Sequence, residues 1–375
     1  MPQAPDPVEL TRTLVNLDTV NPPGNEEAAA RFLGDLLTEG GLQVNYHTLA
    51  EGRMGLMAYL KGERAAPPLC FCGHLDTVPP GGAAWQSPPI EARLNEGRIY
   101  GRGASDMKSG LAAMTAAVLS LAAVPRRQAD VVMVFTAGEE TGSEGAYRMA
   151  REGVLPAAVG ALVVGEPSGN AAYLGHKGAL WLRCRAKGKS AHGSMPEQGD
   201  NAILKAARAV LALEDLLGHD LPHPKLGRPT LNVGTISGGT KINMVPDVAD
   251  FTLDLRTVPG LNHDELHRRV CDRLGPALGV SRLLDLPPVL TDENHPWVRK
   301  VLNLLKQKGT LSLPGYVNYF TDASALTPAL GTPHTVILGP GEATQAHQTD
   351  EWCRVDRIHQ AVDIYLEIAR SWCGV

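Results

Sequence analysis

Short apolar runs alternate with helix-like stretches along most of this 375-residue chain. The runs are short, rich in β-branched residues and flanked by glycine, proline or aspartate, which is typical of buried strands. They are LMAYLKG (56–62), PPLCFCG (67–73), DVVMVF (130–135), GALVVG (160–165) and HTVILG (334–339). Helices are expected at Asp6–Asp18, from Asn25 to Gly40, and after Asp106, Gly142, His295 and Arg354. This alternation predicts an α/β fold with a mostly parallel sheet.

The pattern changes between Gly178 and Leu290, where the segments suggest a separate inserted domain. In order, they are a strand, a helix, two strands joined by a turn, a helix and a strand, at 179–188, 199–217, 230–237, 247–258, 262–274 and 279–286. The order β-α-β-β-α-β is the ferredoxin-like arrangement. The simplest interpretation is a first domain split into 1–178 and 290–375, with residues 179–289 inserted into it.

Composition excludes several classes of partner. The formal net charge is -5 and 20% of the residues are charged, with no run of basic side chains, so neither a nucleic-acid nor a membrane partner is expected. The longest apolar stretch, residues 111–124, contains Thr115 and Ser120 and is too short to span a bilayer. It is better interpreted as a buried helix.

The cysteines and the N-terminal sequence predict a cytoplasmic protein. MPQAPDPVEL contains neither the basic nor the apolar region of a signal peptide. Cys70 and Cys72 are separated by one residue on a single strand, which is poor geometry for a disulfide. We therefore expect all six cysteines to be reduced core residues, forming neither a disulfide framework nor a zinc knuckle.

Side chains that can bind metal ions stand next to the ends of the predicted strands. In open α/β sheets, reactive groups cluster beyond the carboxyl ends of the strands. One such residue on its own is more often a helix cap or a surface residue. Together they form a ligand set that suits Zn²⁺ or a similar divalent ion, and their coincidence predicts a metal site. The candidates are His74, Asp76, Asp106, Glu139, Glu140, Glu166 and His347.

A series of segments, in order over nearly the whole chain, resembles one enzyme family. This is the family of dinuclear zinc amidohydrolases that includes acetylornithine deacetylase, succinyl-diaminopimelate desuccinylase, aminoacylase and glutamate carboxypeptidase. The gaps between the segments are also similar to those of the family. The segments are GHLDTVPPG, YGRGASDMKSGLAAM, FTAGEETGSEGA, VVGEPSG, GHKG, GKSAHGSMPEQGDNAI, INMVPD, LDLRTVPG, TDAS and GPGEATQAHQTDEW.

The resemblance implies two divalent metal ions bridged by Asp106. His74 and Glu166 would complete the protein ligands of one ion, and Glu140 with His347 those of the other. Zinc is the expected metal, with cobalt or manganese as alternatives. The same likeness implies a cis peptide bond between Asp106 and Met107.

Three further residues take catalytic roles if the resemblance holds. Glu139, adjacent to the ligand Glu140, would act as general base on the attacking water. His192, in the inserted domain, would stabilise the oxyanion of the tetrahedral intermediate. Asp76 would hold the ring of His74 and fix its tautomer.

The resemblance also implies residues that bind the substrate. Arg256 matches an arginine that binds the α-carboxylate of the substrate, for which a guanidinium is well suited. Asn243 and the backbone N–H groups of Gly339 and Gly341 are further candidates. The glycines of GRGASDMKSG surround Asp106, and no dinucleotide fingerprint or phosphate-binding loop is present.

The function implied by the resemblance is cleavage of the amide bond of N-acyl amino acids, of the deacetylase or desuccinylase type. The TDAS segment resembles the broader deacylase and carboxypeptidase group, whereas desuccinylases tend to differ there. A carboxypeptidase or dipeptidase of the same family, acting on a small peptide, is the alternative. A catalytically inactive binding subunit would have lost a ligand or the base, and here all of them are present.

The inserted domain at 179–289 is expected to serve as a lid and as the dimerisation domain. A sheet of this topology has an exposed edge that can pair with a second copy of itself. In dimeric relatives the histidine equivalent to His192 reaches the active site of the neighbouring subunit. We therefore predict a homodimer in which His192 acts on the partner's site.

Overall fold

A computed structural model describes residues 5–64, 66–310 and 313–375. The chain divides into two compact units. The first comprises Met1–Gly175, Leu290–Gly315 and Thr321–Val375, and the second comprises His176–Val289 and Tyr316–Phe320.

The helices are numbered in chain order from the N-terminus, and so are the strands. The helices are α1 Pro7–Asn16, α2 Glu27–Glu39, α3 Ser109–Ala122, α4 Glu144–Arg151, α5 Ala202–Ala212, α6 His263–Leu274, α7 Pro296–Gln307, α8 Ala323–Ala329 and α9 Val355–Cys373. The strands are β1 Gln43–Ala50, β2 Arg53–Leu60, β3 Leu69–His74, β4 Arg93–Asn95, β5 Arg98–Tyr100, β6 Val131–Thr136, β7 Ala161–Val164, β8 Tyr173–His176, β9 Gly178–Lys187, β10 Thr230–Gly238, β11 Val248–Thr257, β12 Leu278–Leu286, β13 Val289–Leu290, β14 Gly315–Val317, β15 His334–Ile337 and β16 Trp352–Arg354.

The large sheet is mixed, so the prediction of a mostly parallel sheet is wrong at its margins. Its order is β1-β2-β6-β3-β7-β15-β8, and β13 and β14 complete the nine strands. Neighbours from β6 to β15 are parallel, whereas β1/β2, β2/β6 and β15/β8 are antiparallel. The turn at Glu51–Gly52 explains one of these pairs, because a two-residue connection can only join antiparallel strands.

The parallel strands place the candidate ligands side by side. Every residue of β3, β6 and β7 is buried, as expected for central parallel strands that are covered on both faces. His74, the last residue of β3, pairs with Thr136 at the end of β6, and Cys72 pairs with Val164 at the end of β7. Residues that follow these strands therefore start from one edge of the sheet.

A short kinked turn, Ala104–Lys108, precedes the buried helix α3. It follows Gly103, whose φ of 85° lies in the left-handed region that glycine adopts readily. The peptide bond between Asp106 and Met107 is cis, as the family resemblance implies. The turn sets the position of Asp106 at the start of the helix.

The second unit contains an antiparallel sheet with the strand order β10-β11-β9-β12. Alternate residues of β11, from Ala249 to Leu255, are buried and form a core with Ala202, Ala206 and Ala209 of α5. Helix α5 begins at the N-cap Asn201, whose side chain accepts from Leu204 N–H, and it ends earlier than the predicted helix 199–217.

Two further findings concern the helices and the cysteines. Among the helices of the described ranges, none has both the length and the apolar character needed to cross a membrane. All six cysteines are free thiols, and five of them are buried.

Candidate metal centre

The structure brings all five predicted metal ligands together within the first unit. They come from the ends of β3, β6 and β7, from the turn before α3, and from the loop after β15. Ligand atoms of His74, Asp106 and Glu140 lie within 4.8 Å of one another. Glu166 and His347 contact members of this group directly.

His74 presents one ring nitrogen to the carboxylates and the other to the backbone. Its Nδ1 lies 3.0 Å from the carbonyl oxygen of Asp76, which accepts a hydrogen bond when Nδ1 is protonated. Nε2 lies 3.1 Å from Oδ1 of Asp106 and 3.7 Å from Oε1 of Glu166. This arrangement favours the tautomer whose Nε2 lone pair is available to a metal ion.

The Asp106 carboxylate faces a histidine with each of its oxygens. Oδ1 contacts His74, and Oδ2 lies 3.5 Å from Nε2 of His347. That same Nε2 is 3.1 Å from Oε2 of Glu140. Asp106 is therefore the central residue of the cluster. The side chain of His347 lies at the open end of the cluster and is 53% exposed.

Burial and the neighbouring charges shift the pKa values of the cluster. Burial raises the pKa of Glu166 to about 7 and also raises the pKa of Glu140. Burial would lower the pKa of His74, but the carboxylates of Glu166, Asp106 and Asp76 outweigh it and hold the pKa well above its usual value. Buried like charges of this kind fit a site that binds cations.

We expect the free energy of unfolding of the metal-free protein to fall as the pH rises from about 4.5 to about 7. In this range the unfolded chain has lost the proton of Glu166, whereas the folded protein still binds it, so stability falls with rising pH. The difference between the two pKa values corresponds to on the order of 3 kcal/mol. Urea unfolding of chelator-treated protein at about pH 5 and about pH 8 measures the change.

Two comparisons test whether the cluster causes this pH dependence. Glu166→Gln removes one of the titrating groups and is expected to make the fall in stability of the metal-free protein smaller than in wild type. Added Zn²⁺ is expected to restore stability at the higher pH, because the ion binds the deprotonated side chains of the folded state. Equal stability of the metal-free wild type at both pH values contradicts the prediction.

Asp76 is fully buried and organises the segment that carries Glu139 and Glu140. Its carboxylate accepts from the N–H groups of Glu139 at 3.1 Å and Glu140 at 3.2 Å, and from Nδ2 of Asn21 at 2.9 Å. The carboxylate lies 3.6 Å from Nδ1 of His74, which is longer than an ordinary hydrogen bond. The side chain of Asp76 thus holds the two glutamates, while its backbone carbonyl contacts the histidine.

Glu139, the predicted base, is 6% exposed. Burial raises its pKa well above the usual value; the nearby His74 opposes this shift, whereas Glu166, Glu140 and Asp322 add to it. A carboxylate with a raised pKa is better able to accept a proton near neutral pH. The environment of Glu139 therefore suits a general base.

Sequence reasoning did not identify three buried residues around the cluster. Asn21 binds Asp76, Asp322 accepts from the Thr136 hydroxyl, and Glu351 binds the turn that carries Asp106. Burial raises the pKa of Asp322 to about 6. Asp322 lies in TDAS and Glu351 in GPGEATQAHQTDEW, two of the family-like segments, but the sequence alone assigned neither residue a role.

The predicted residues of the inserted segment lie in the second unit. His192 is exposed, and its Nδ1 lies 2.7 Å from Oγ of Ser194. The loop of His192 is joined to that of Asn243, because Gly193 N–H donates to the Asn243 carbonyl at 2.8 Å. Arg256 forms a two-point ion pair with Asp254.

Gly339 and Gly341 lie in the first unit, in the loop after β15. The N–H of Gly339 donates to Oγ of Ser168 at 3.0 Å, so it is already engaged within the protein. The carbonyl of Gly341 accepts from Gly169 N–H at 2.7 Å. The contact of Gly339 and Gly341 with substrate stays a prediction.

Histidines and carboxylates clustered at the strand ends of an α/β sheet provide the ligand set of a divalent-cation site, which is typical of metal-dependent enzymes. Residues 70–371 match the model of Peptidase family M20/M25/M40, and the chain belongs to this family. It is therefore a metallohydrolase of the metallopeptidase and amidohydrolase type.

Known proteins similar to this chain cover almost its whole length. A "Probable succinyl-diaminopimelate desuccinylase" of Staphylococcus epidermidis is 30% identical, with 98% of each chain covered. An acetylornithine deacetylase of Proteus mirabilis is 28% identical over 98% of this chain and 96% of the relative. The crystal structure of an M20 family metallo-carboxypeptidase from Sulfolobus solfataricus superposes with a TM-score of 0.83 at 19% identity, covering 99% of this chain and 100% of that one. The last similarity concerns the fold.

Proposed function

We propose that the protein removes a small acyl group from N-acyl amino acids and does so with two divalent metal ions. The observation that supports the metal pair most directly is the position of Asp106. Its two carboxylate oxygens face different histidines, as expected of a ligand that bridges two cations.

The five clustered residues provide the protein ligands for such a pair. His74 and Glu166 would hold one ion, Glu140 and His347 the other, and Asp106 both. Zn²⁺ suits this mixture of imidazole and carboxylate ligands, and Co²⁺ or Mn²⁺ are alternatives. When bound, the ions supply Lewis acidity that polarises a carbonyl group and makes water a stronger acid.

The proton transfers belong to Glu139. It takes a proton from the water that attacks the amide carbonyl and gives it to the leaving amine. Two features support this role: the raised pKa of Glu139, and the bond from its backbone N–H to Asp76, which fixes the carboxylate-bearing segment. Asp76 thus serves as a positioning residue for the base.

Residues of the second unit are proposed to bind the substrate. His192 would donate to the oxyanion of the tetrahedral intermediate. Arg256 would bind the α-carboxylate, and its ion pair with Asp254 orients the guanidinium beforehand. Asn243 lies in the loop joined to that of His192, which supports a role close to it.

We also propose that residues 179–289 act as a lid and as the interface of a homodimer. Strand β10 is an edge strand of its sheet and is largely exposed. Ile236 on this strand is 55% exposed, and Leu204 on α5 is 52% exposed. Pairing with a second copy would cover such an edge.

The names of the similar proteins favour a deacylase over a peptidase. The relatives at 30% and 28% identity are named for removal of succinyl and acetyl groups from amino acids. Acetyl and succinyl are both candidates for the group removed, since these relatives are named for one or the other. A carboxypeptidase or dipeptidase activity is the second candidate and concerns the same type of bond.

A substrate screen tests the proposed function. Metal-free protein would be reconstituted with Zn²⁺, Co²⁺ or Mn²⁺ and assayed with acetyl-, succinyl- and formyl-amino acids and with dipeptides. We expect metal-dependent release of the free amino acid from an N-acyl substrate, with higher kcat/KM than for any dipeptide. Higher kcat/KM for a dipeptide would favour the peptidase, and no turnover of any amide would contradict both candidates.

A further inference from the structure

Glu351 is completely buried beside the turn that carries Asp106, and its carboxylate accepts four hydrogen bonds. Oε2 accepts from Nη1 of Arg102 at 2.6 Å and from Gly103 N–H at 2.9 Å. Oε1 accepts from the N–H groups of Ser105 at 2.7 Å and Asp106 at 2.9 Å. Three of the four donors are backbone groups of one turn, and one of them belongs to the central metal ligand.

The turn depends on this carboxylate because its backbone departs from regular helix geometry. Gly103 has φ of 85°, and Asp106 has φ of −119° and ψ of 97°. Adjacent N–H groups in such a turn converge on an anion instead of following the helical pattern, and they must be satisfied when buried. In this protein the anion is the carboxylate of Glu351, which accepts from these N–H groups.

Glu351 also ends the loop that carries His347. Its backbone carbonyl accepts from Gly101 N–H at 2.9 Å, so both its main chain and its side chain bind the same turn. Nearer the start of the loop, the Ser105 hydroxyl donates to the carbonyl of Glu342 at 3.1 Å. At Gly341 a Cβ atom would lie 2.1 Å from the Ser105 carbonyl oxygen, so only glycine permits this approach.

We propose that Glu351 is a positioning residue of the metal centre. It fixes Asp106 relative to His347, whose Nε2 lies 3.5 Å from Oδ2 of Asp106, and thereby sets the affinity for the ion that these residues hold together. The inference rests on the proposed function, because it concerns the same site. Glu351 would not bind the metal ion itself but would orient the ligand Asp106 through the hydrogen bond to its backbone N–H.

The alternative role of Glu351 is that of a buried ion-pair partner for Arg102. Buried ion pairs contribute little net stability, because desolvation offsets their attraction. If Glu351 served only to pair with Arg102, its three hydrogen bonds to the backbone of the turn would not affect the position of Asp106. Metal binding would then be insensitive to Glu351 as long as the protein remains folded.

Glu351→Gln separates these roles, because it keeps the shape of the side chain but replaces one acceptor oxygen by an amide that only donates. Metal-free wild type and variant would be titrated with Co²⁺, with visible absorption and equilibrium dialysis as readouts. We expect one of two Co²⁺ ions to bind about 10–100-fold more weakly in the variant, with an altered spectrum. Excess Co²⁺ is expected to raise kcat of the variant towards that of wild type, with little change in KM.

A matched control is Glu152→Gln, which removes a glutamate that pairs with Arg148 at 2.7 Å but is 42% exposed and outside the site. It is expected to bind both ions like wild type. If Glu351→Gln does not fold, Glu351→Asp, which keeps the charge but is one methylene shorter, is titrated in its place. The same weakening of one ion is expected.

Two results overturn the inference. One is binding of two Co²⁺ ions by the Glu351 variant with the affinity and spectrum of wild type. The other is an equal loss in Glu152→Gln, which would show that the effect does not depend on the Asp106 turn. A wild-type protein that binds fewer than two Co²⁺ ions instead contradicts the proposed function itself.

Discussion

Glu139→Gln is expected to lower kcat by about 10²–10⁴-fold while the protein keeps its bound metal. Glutamine cannot take the proton of the attacking water, so the chemical step loses its base. The fold around the site is expected to persist, because Asp76 binds the backbone N–H of Glu139 and not its side chain. The loss should therefore appear in kcat.

Glu140→Gln, one residue further along, is expected to lose metal. The Glu140 carboxylate is within 3.1 Å of Nε2 of His347 and belongs to the group of ligand atoms around Asp106. Replacing it by a neutral amide removes an anionic ligand for a divalent cation. Excess metal is expected to recover part of the activity of this variant but none of that lost in Glu139→Gln.

Elemental analysis of both variants beside their kcat values measures this division of roles between adjacent residues. Thermal unfolding of the metal-free variants serves as the control for folding. Equal metal loss in both variants would contradict the assignment of Glu139 as a base that does not bind metal. Undiminished kcat in Glu139→Gln would exclude it as the base.

The part of the site that the sequence predicts best is the part attached to parallel strands. β3, β6 and β7 can be recognised from short apolar runs, and parallel strands bring their carboxyl ends to one edge. His74, Glu140 and Glu166 therefore had to lie near one another once the strands were identified. The roles of the individual residues came from the resemblance to a known family.

The contacts around the ligands could not be predicted in this way. Glu351 binds the N–H of Asp106 across 245 residues of sequence, and Asp322 meets Thr136 across 186. Such pairs form because the burial of a carboxylate requires donors, and the sequence does not show which donors the fold will supply. The antiparallel margins of the large sheet were missed for a related reason, since strand direction depends on the connections and not on the apolar pattern.

The inserted domain at 179–289 and the roles of its residues stay predictions from the sequence. His192 lies in the second unit and the metal ligands in the first. Its assignment to the oxyanion rests on the motif GKSAHGSMPEQGDNAI. The most informative experiment is therefore one that identifies the subunit whose active site His192 completes.

His192→Ala is expected to lower kcat by about 10²–10³-fold, as loss of an oxyanion donor does in other enzymes. If His192 acts on the partner's site, this variant and Glu139→Gln should complement each other. In their heterodimer, one site has an intact Glu139 together with an intact His192, and the other site has neither. If His192 acts within its own chain, each site of the heterodimer keeps one defect.

Mixing the two variants under conditions of subunit exchange distinguishes these arrangements. At equal concentrations half of the dimers are heterodimers and half of their sites are complete, so about one quarter of wild-type activity is expected. The control mixture combines Glu139→Gln with a chain that carries both substitutions, and it should remain inactive because no intact Glu139 is present. Heterodimers would be verified with differently tagged chains. If they form and activity does not return, His192 does not act in trans, and the complete site belongs to a single chain.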